Sequence, residues 1–177
     1  AAFRVDDTAE LAAFIEARRF GMLIVTGPNG PQAAHVPMLV NRDAAGNAVS
    51  LECHVARSNP VAAIAASGTR ALAIFNGAVE VTGDVTTFSD GAQLQAQIER
   101  MTDAMEQPGA APWSVSDAPE DYVGKLVGAI TGLRLTIDSI EGVRKLSQNR
   151  PEGDRAGVLN GFTHSSDPSA RQLATEM

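Results

Sequence analysis

Cysteine is all but missing from this chain of 177 residues, with Cys53 standing alone. A lone thiol excludes an intrachain disulfide and fits a reducing, cytoplasmic setting. Within a strand-like run it reads first as a small buried apolar side chain. Long apolar runs are missing too; none approaches the roughly 20 residues that cross a bilayer as a helix, so no membrane partner is expected. The first residues, AAFRVDD, have neither a basic nor an apolar signal region, and no secretory leader is read there. An excess of positive charge is absent. The formal net charge is −7, which disfavours a generic DNA-binding surface because such affinity rests on neutralising phosphates with Lys and Arg. There is no G-x-G-x-x-G, Walker A loop, C-x-x-C or H-E-x-x-H, and no internal repeat.

What is present is an ordinary globular composition, 44% hydrophobic and 20% charged, at a length suited to one domain. We place that domain at residues 1–163 and treat 164–177 as a loose C-terminal tail. Asp7, with Glu10 at the capping-box position, opens a helix carrying Leu11, Phe14 and Ile15 on one face. FGMLIVT (20–26), a turn at Asn29-Gly30, AAHVPMLVNRD (33–43) and AVSLECHVA (48–56) read as successive strands. In the last of these Val49, Leu51, Cys53 and Val55 share one face, with His54 on the other. Asn59-Pro60 starts a short helix ending at Gly68. Strands follow at 70–77 and 78–85. An amphipathic helix spans 90–107, with Leu94, Ile98, Met101 and Met105 on its stripe. A further helix carries Tyr122, Leu126 and Ile130, a last long strand covers 133–142, and a helical segment reaches Gly161. Strands with helices inserted between them predict an α+β antiparallel barrel with peripheral helices.

Two stretches carry chemistry. In HVARSNP (54–60), His54, Arg57 and Ser58 lead into Asn59 at a helix start, where unpaired backbone N–H groups favour an anion. From spacing alone, a plain cap and a solvated arginine weigh more. In RKLSQNRPEGDR (144–155), Lys145, Ser147, Gln148, Asn149 and Arg150 supply many donors, which suits a phosphate or a flavin edge and equally an exposed turn. A metal site from His35, His54 and Glu52 has no defining spacing, and none is expected. His164 reads as solvated.

At these stretches the sequence resembles the FMN-binding negative transcriptional regulators of the PaiB type. The residues that carry the resemblance are AAHVPMLVNRD, HVARSNP, ALAIFNG, APWSVSDAPEDYV and, above all, EGVRKLSQNRPEGDRAGVLNG, in the family's order over most of the chain. The resemblance implies an antiparallel split β-barrel related to the pyridoxamine-phosphate-oxidase-like flavoproteins, a homodimer, and FMN in the cleft between subunits. By it, His54, Arg57, Ser58 and Asn59 lie near the phosphate, Pro37 and Met38 border the flavin ring, and Lys145, Ser147, Gln148 and Asn149 close the site from the partner subunit. It implies a regulator; the alternative, an FMN-dependent oxidoreductase or flavin reductase, ranks second because no residue is an evident acid or base for a substrate. DNA as a partner follows from the family's naming only. Two departures stand out. Arg144 occupies a position that is usually aromatic, and the family has a sizeable segment where this chain runs from Gly77 directly to Ala78. We expect a skipped stretch at that junction.

Overall fold

The computed structural model describes residues 3–76, 79–106 and 111–177, the side chain of Glu120 excepted. The expected junction at Gly77–Ala78 lies outside the described residues. The strands are β1 (Arg4–Val5), β2 (Phe20–Gly27), β3 (Gly30–Pro37), β4 (Leu39–Arg42), β5 (Ala48–Ala56), β6 (Thr69–Phe75), β7 (Val79–Phe88) and β8 (Ile130–Val143). The helices are α1 (Thr8–Arg18), α2 (Pro60–Ala65), α3 (Gly91–Met105), α4 (Glu120–Ala129), α5 (Glu152–Thr163) and α6 (Pro168–Glu176).

All ladders are antiparallel, in the order β3-β2-β6-β7-β8-β5-β4, with β1 paired to β8. The outermost strands of that order, β3 and β4, are consecutive in sequence with only Met38 between them. The sheet must therefore curl until its two margins meet at Met38, which makes it a barrel. Its interior is filled by alternate residues: Leu23 and Val25 from β2, Leu51, Cys53 and Val55 from β5, Ala71, Ala73 and Phe75 from β6, Val79, Val81 and Val85 from β7, and Leu133 and Leu135 from β8. α1 packs on this core through Leu11 and Ile15, its first turn held by the Asp7 side chain, which accepts from the N–H groups of Ala9 and Glu10.

Five local expectations change in the structure. The single strand at 33–43 is two strands with different neighbours. The Met38 N–H donates to the Arg19 carbonyl at 2.7 Å instead of to a sheet ladder, and the chain turns there from β2's edge to β5's. Val49 does not face the core. The β4–β5 register slips at Asn41/Arg42, passing from Ser50 to Ala48, so Val49 is the extra residue of a bulge and is exposed. On α3 the buried residues are Leu94, Gln97 and Met101, while Met105 is exposed. Tyr122 and Leu126 of α4 are exposed as well, and Ile130 already belongs to β8. Past His164 the chain is not loose: the Asp167 side chain caps Ser169 N–H, Pro168 takes the first helical position, and α6 packs on α5.

A candidate flavin-binding site split between two corners

β5 and β8 run antiparallel with His54 opposite Gly132 and Ala56 opposite Ile130, so the end of β5 meets the start of β8. The first corner forms there. The Arg57 N–H donates to the Ala129 carbonyl at 2.9 Å, and its Nε donates to the Ile130 carbonyl at 3.0 Å. These two bonds fasten the arginine to the α4–β8 junction. Among the described residues its terminal guanidinium nitrogens make no hydrogen bond and no ion pair. Ser58 is exposed beside it. Asn59 is a true cap: its Oδ1 accepts from Val61 N–H at 2.9 Å, and Pro60 follows at the first helical position. Leu39 pairs with Glu52, which brings the Pro37–Met38 turn alongside the same end of β5. Pro37 is half-buried there, whereas the Met38 side chain is buried in the core. Met38 can therefore offer a ligand its backbone but not its thioether.

His54 lies on the outer face of β5, under α3. Burial pushes its pKa below the usual imidazole value, and the Gln97 side chain pulls weakly the other way. One position back on the same face, Glu52 is 3% exposed and is gripped by two arginines. Its Oε1 accepts from Arg134 Nε and Nη2 at 2.8 and 2.6 Å, and its Oε2 accepts from Arg100 Nη2 at 2.5 Å. Arg134 also lies over the Phe88 ring, 5.5 Å from its centroid, and Arg100 bonds Asn41 Oδ1. Burial alone would raise the Glu52 pKa, but the hydrogen bonds from Arg134 and Arg100 outweigh it and the net shift is downward. This cluster clamps α3 to the sheet. It also removes Glu52 from any metal set with His54; His35 is exposed on β3, and no group of three potential ligands occurs among the described residues.

The second corner comes off the far end of β8. Arg144 pairs with Glu10 at 2.6 Å, and its N–H donates to the Phe3 carbonyl, so an ion pair to α1 stands where the resembling family has an aromatic ring. Gln148 does not reach outward. Its Oε1 accepts from Leu146 N–H and its Nε2 donates to the Arg144 carbonyl, folding the loop on itself. Ser147 sits at φ 58°, the left-handed region, and its carbonyl accepts from Arg150 N–H. Lys145, Asn149 and Arg150 are exposed. A cleft of about 200 Å³ opens here between Val143, Lys145, Leu146, Leu173 and Glu176.

The two corners lie at opposite ends of one strand. Gly132, beside His54, and Val143, before Lys145, are eleven residues apart on β8, on the order of 35 Å at ~3.3 Å per residue. One subunit brings Pro37, His54, Arg57, Ser58 and Asn59 together, and Lys145, Ser147, Gln148 and Asn149 together, but not the two groups with each other.

Comparison with known proteins bears on what such corners hold. The family model described as "Putative FMN-binding domain" matches residues 1–80 and 77–139. The chain belongs to this FMN-binding family. The match comes in two stretches that overlap at residues 77–80. Over its full length the chain is similar to the Bacillus subtilis protein "Protease synthase and sporulation protein PAI 2", 24% identical across 99% of this chain and 93% of that one. An uncharacterised protein of Emericella nidulans is 39% identical over 84 residues, 46% of this chain and 34% of that protein. The chain spans about a third of the length of the fungal relatives it matches. Among solved structures, the FAD and heme binding protein from Mycobacterium smegmatis superposes with a TM-score of 0.61 at 13% identity, covering 87% of this chain and 78% of that one. The fold is the α+β split barrel of the pyridoxamine-phosphate-oxidase-like proteins.

The family's cofactor is FMN, and the residues present fit it. The Arg57 guanidinium and the Ser58 hydroxyl match the acceptor oxygens of a phosphate. The half-buried His54 ring stands at the same corner. Lys145 and Asn149 offer donors at the other. The sequence showed these donors but not the Glu52–Arg100–Arg134 clamp, which depends on a strand register and a helix placement. Nor did it show Gln97; the only signal was its position between Leu94 and Met101 on the apolar stripe of α3.

Proposed function

We propose that the chain acts as a homodimeric FMN-binding regulator of the PaiB type, with each flavin held between the His54–Asn59 corner of one subunit and the Lys145–Asn149 loop of the other. The observation that carries this reading is the separation along β8. Neither corner alone supplies both a phosphate grip and a set of donors for the ring, and the distance between them exceeds the span of one FMN. A twofold axis that sets the start of one β8 against the end of its partner's makes two equivalent composite sites. FMN supplies redox chemistry at its ring when bound. Arg57, fixed through its Nε, presents its remaining N–H groups to the phosphate; Lys145 and Asn149 supply donors to the polar edge of the ring; Pro37 provides an apolar border. No side chain at either corner is arranged as a proton donor to a substrate, which favours the regulatory reading over an oxidoreductase. The net charge of −7 makes a direct electrostatic grip on DNA unfavourable and points to action through the flavin state or a protein contact.

The test is complementation. Arg57→Ala and Lys145→Ala each lose FMN affinity, by about tenfold or more for one charge-assisted bond of ~1.5–3 kcal/mol. Co-refolded in equal amounts, the two variants regain about a quarter of the flavin sites, because half the dimers are mixed and each mixed dimer has one intact site. A mixture that binds no better than its components would overturn the composite site.

A further inference from the structure

Among the described residues, the buried side-chain polar atoms without a hydrogen-bond partner are His54 Nδ1, Gln97 Oε1 and Arg155 Nε. The first two belong to side chains that interact: His54 and Gln97 each keep one buried atom without a hydrogen bond, and the Gln97 amide acts on the His54 ring against the effect of burial. Gln97 is 0% exposed, on the face of α3 that covers β5. Its Nε2 donates to the Cys53 carbonyl at 2.7 Å. That bond fixes which end of the amide is which: Nε2 is committed to the strand, and Oε1 is left as a buried acceptor without a hydrogen bond. Two buried unpartnered atoms on interacting side chains satisfy each other only if the ring nitrogen carries the proton, since two lone pairs would repel and leave both groups unsatisfied. Among the described residues His54 Nε2 makes no hydrogen bond, and it is not among the buried unpaired atoms, so it keeps access to solvent.

We propose that Gln97 is a positioning residue that holds His54 as the Nδ1-protonated tautomer, leaving Nε2 as a hydrogen-bond acceptor for a hydroxyl of the ribityl chain of FMN. The identity of the ligand group rests on the flavin-binding reading above; the tautomer does not. A bare Nε2 is mismatched to a phosphate, whose oxygens are acceptors, and matched to a hydroxyl. This moves His54 from the phosphate, where the family resemblance put it, to the chain that links phosphate and ring. The phosphate is left to Arg57 and Ser58. Burial disfavours the charged ring, so the neutral form that this arrangement requires is also the favoured one at neutral pH.

Long-range ¹H–¹⁵N correlation spectra of the flavin-free full chain at pH 8 decide the tautomer. A pyrrole-type Nδ1 with a pyridine-type Nε2 is expected; the reverse assignment overturns the role of Gln97 whatever the protein binds. Three probes then decide the ligand group: FMN, riboflavin, which lacks the phosphate, and lumiflavin, which also lacks the hydroxyl chain. Riboflavin should move the Nε2 resonance of the native protein, and lumiflavin should leave it in place. Gln97→Met, close in volume, should weaken FMN and riboflavin by the same factor, about five- to tenfold for one net hydrogen bond, with lumiflavin unchanged. A loss seen with FMN alone would return His54 to the phosphate and overturn the ribityl assignment, as would no loss with any probe. If the native protein binds none of the three, the flavin reading and the ribityl assignment fall together, while the tautomer result stands by itself.

Discussion

Removing the charge from Glu52 offers the sharpest test of how α3 is held on the barrel. Its carboxylate is 3% exposed and takes three hydrogen bonds, two from Arg134 and one from Arg100. Glu52→Gln preserves the shape but leaves two guanidinium groups facing each other across a neutral amide. Breaking a fully buried pair costs about 3–5 kcal/mol. Here Arg100 and Arg134 are 50% and 41% exposed, so water recovers part of their charge. We therefore expect a loss of about 2–3 kcal/mol, or roughly 5–10 °C in Tm for a chain of this size. Urea unfolding at pH 7 measures it. The sign of the pH dependence follows from the lowered Glu52 pKa. The stabilisation is fully present above the unfolded-state value, near 4.5, and is lost as pH falls through the lower folded-state value. The gap between native protein and variant should close on acidification. A variant within about 0.5 kcal/mol of the native protein at pH 7, or a gap that stays constant to low pH, would refute the clamp.

Two further outcomes are expected. Burial pushes the Cys53 thiol up to about 12, so at pH 8 a thiol reagent should leave the folded chain unmodified and label it promptly in denaturant; rapid labelling under native conditions would contradict its place in the core. Gly83 sits where the β7–β8 register slips, and a Cβ there would lie 1.8 Å from the Thr136 carbonyl oxygen. Gly83→Ala should cost about 1–3 kcal/mol in a denaturant titration, and an unchanged midpoint would show that the two strands separate more freely than this geometry allows.

The strand meander was legible because most strands alternate and turns have their own chemistry: Asn29-Gly30 and Asn59-Pro60 fall where the chain reverses or a helix starts. The misreadings share a cause. Val49, Met38, Tyr122 and Gln97 each obey or break a periodicity for reasons outside their own segment: a bulge set by the β4–β5 register, a carbonyl offered by Arg19, a helix whose outer face stays exposed, and a strand carbonyl that accepts from a glutamine. The site was legible as two donor-rich corners. Their separation was not, since it is the length of β8 together with its pairing to β5 that sets them apart.

The turn at Met38 has a consequence for how the protein behaves outside its native state. A free sheet edge is a template for pairing with another chain. Here both margins of the sheet belong to one segment, residues 30–42, folded back through a single buried residue. One margin, β3, contains Pro31 and Pro37, which lack the N–H that an incoming strand would need; the other, β4, is four residues long. Recruiting either edge into a foreign sheet means pulling Met38 out of the core. Resistance to strand-mediated aggregation and closure of the barrel are therefore one property, set at one residue.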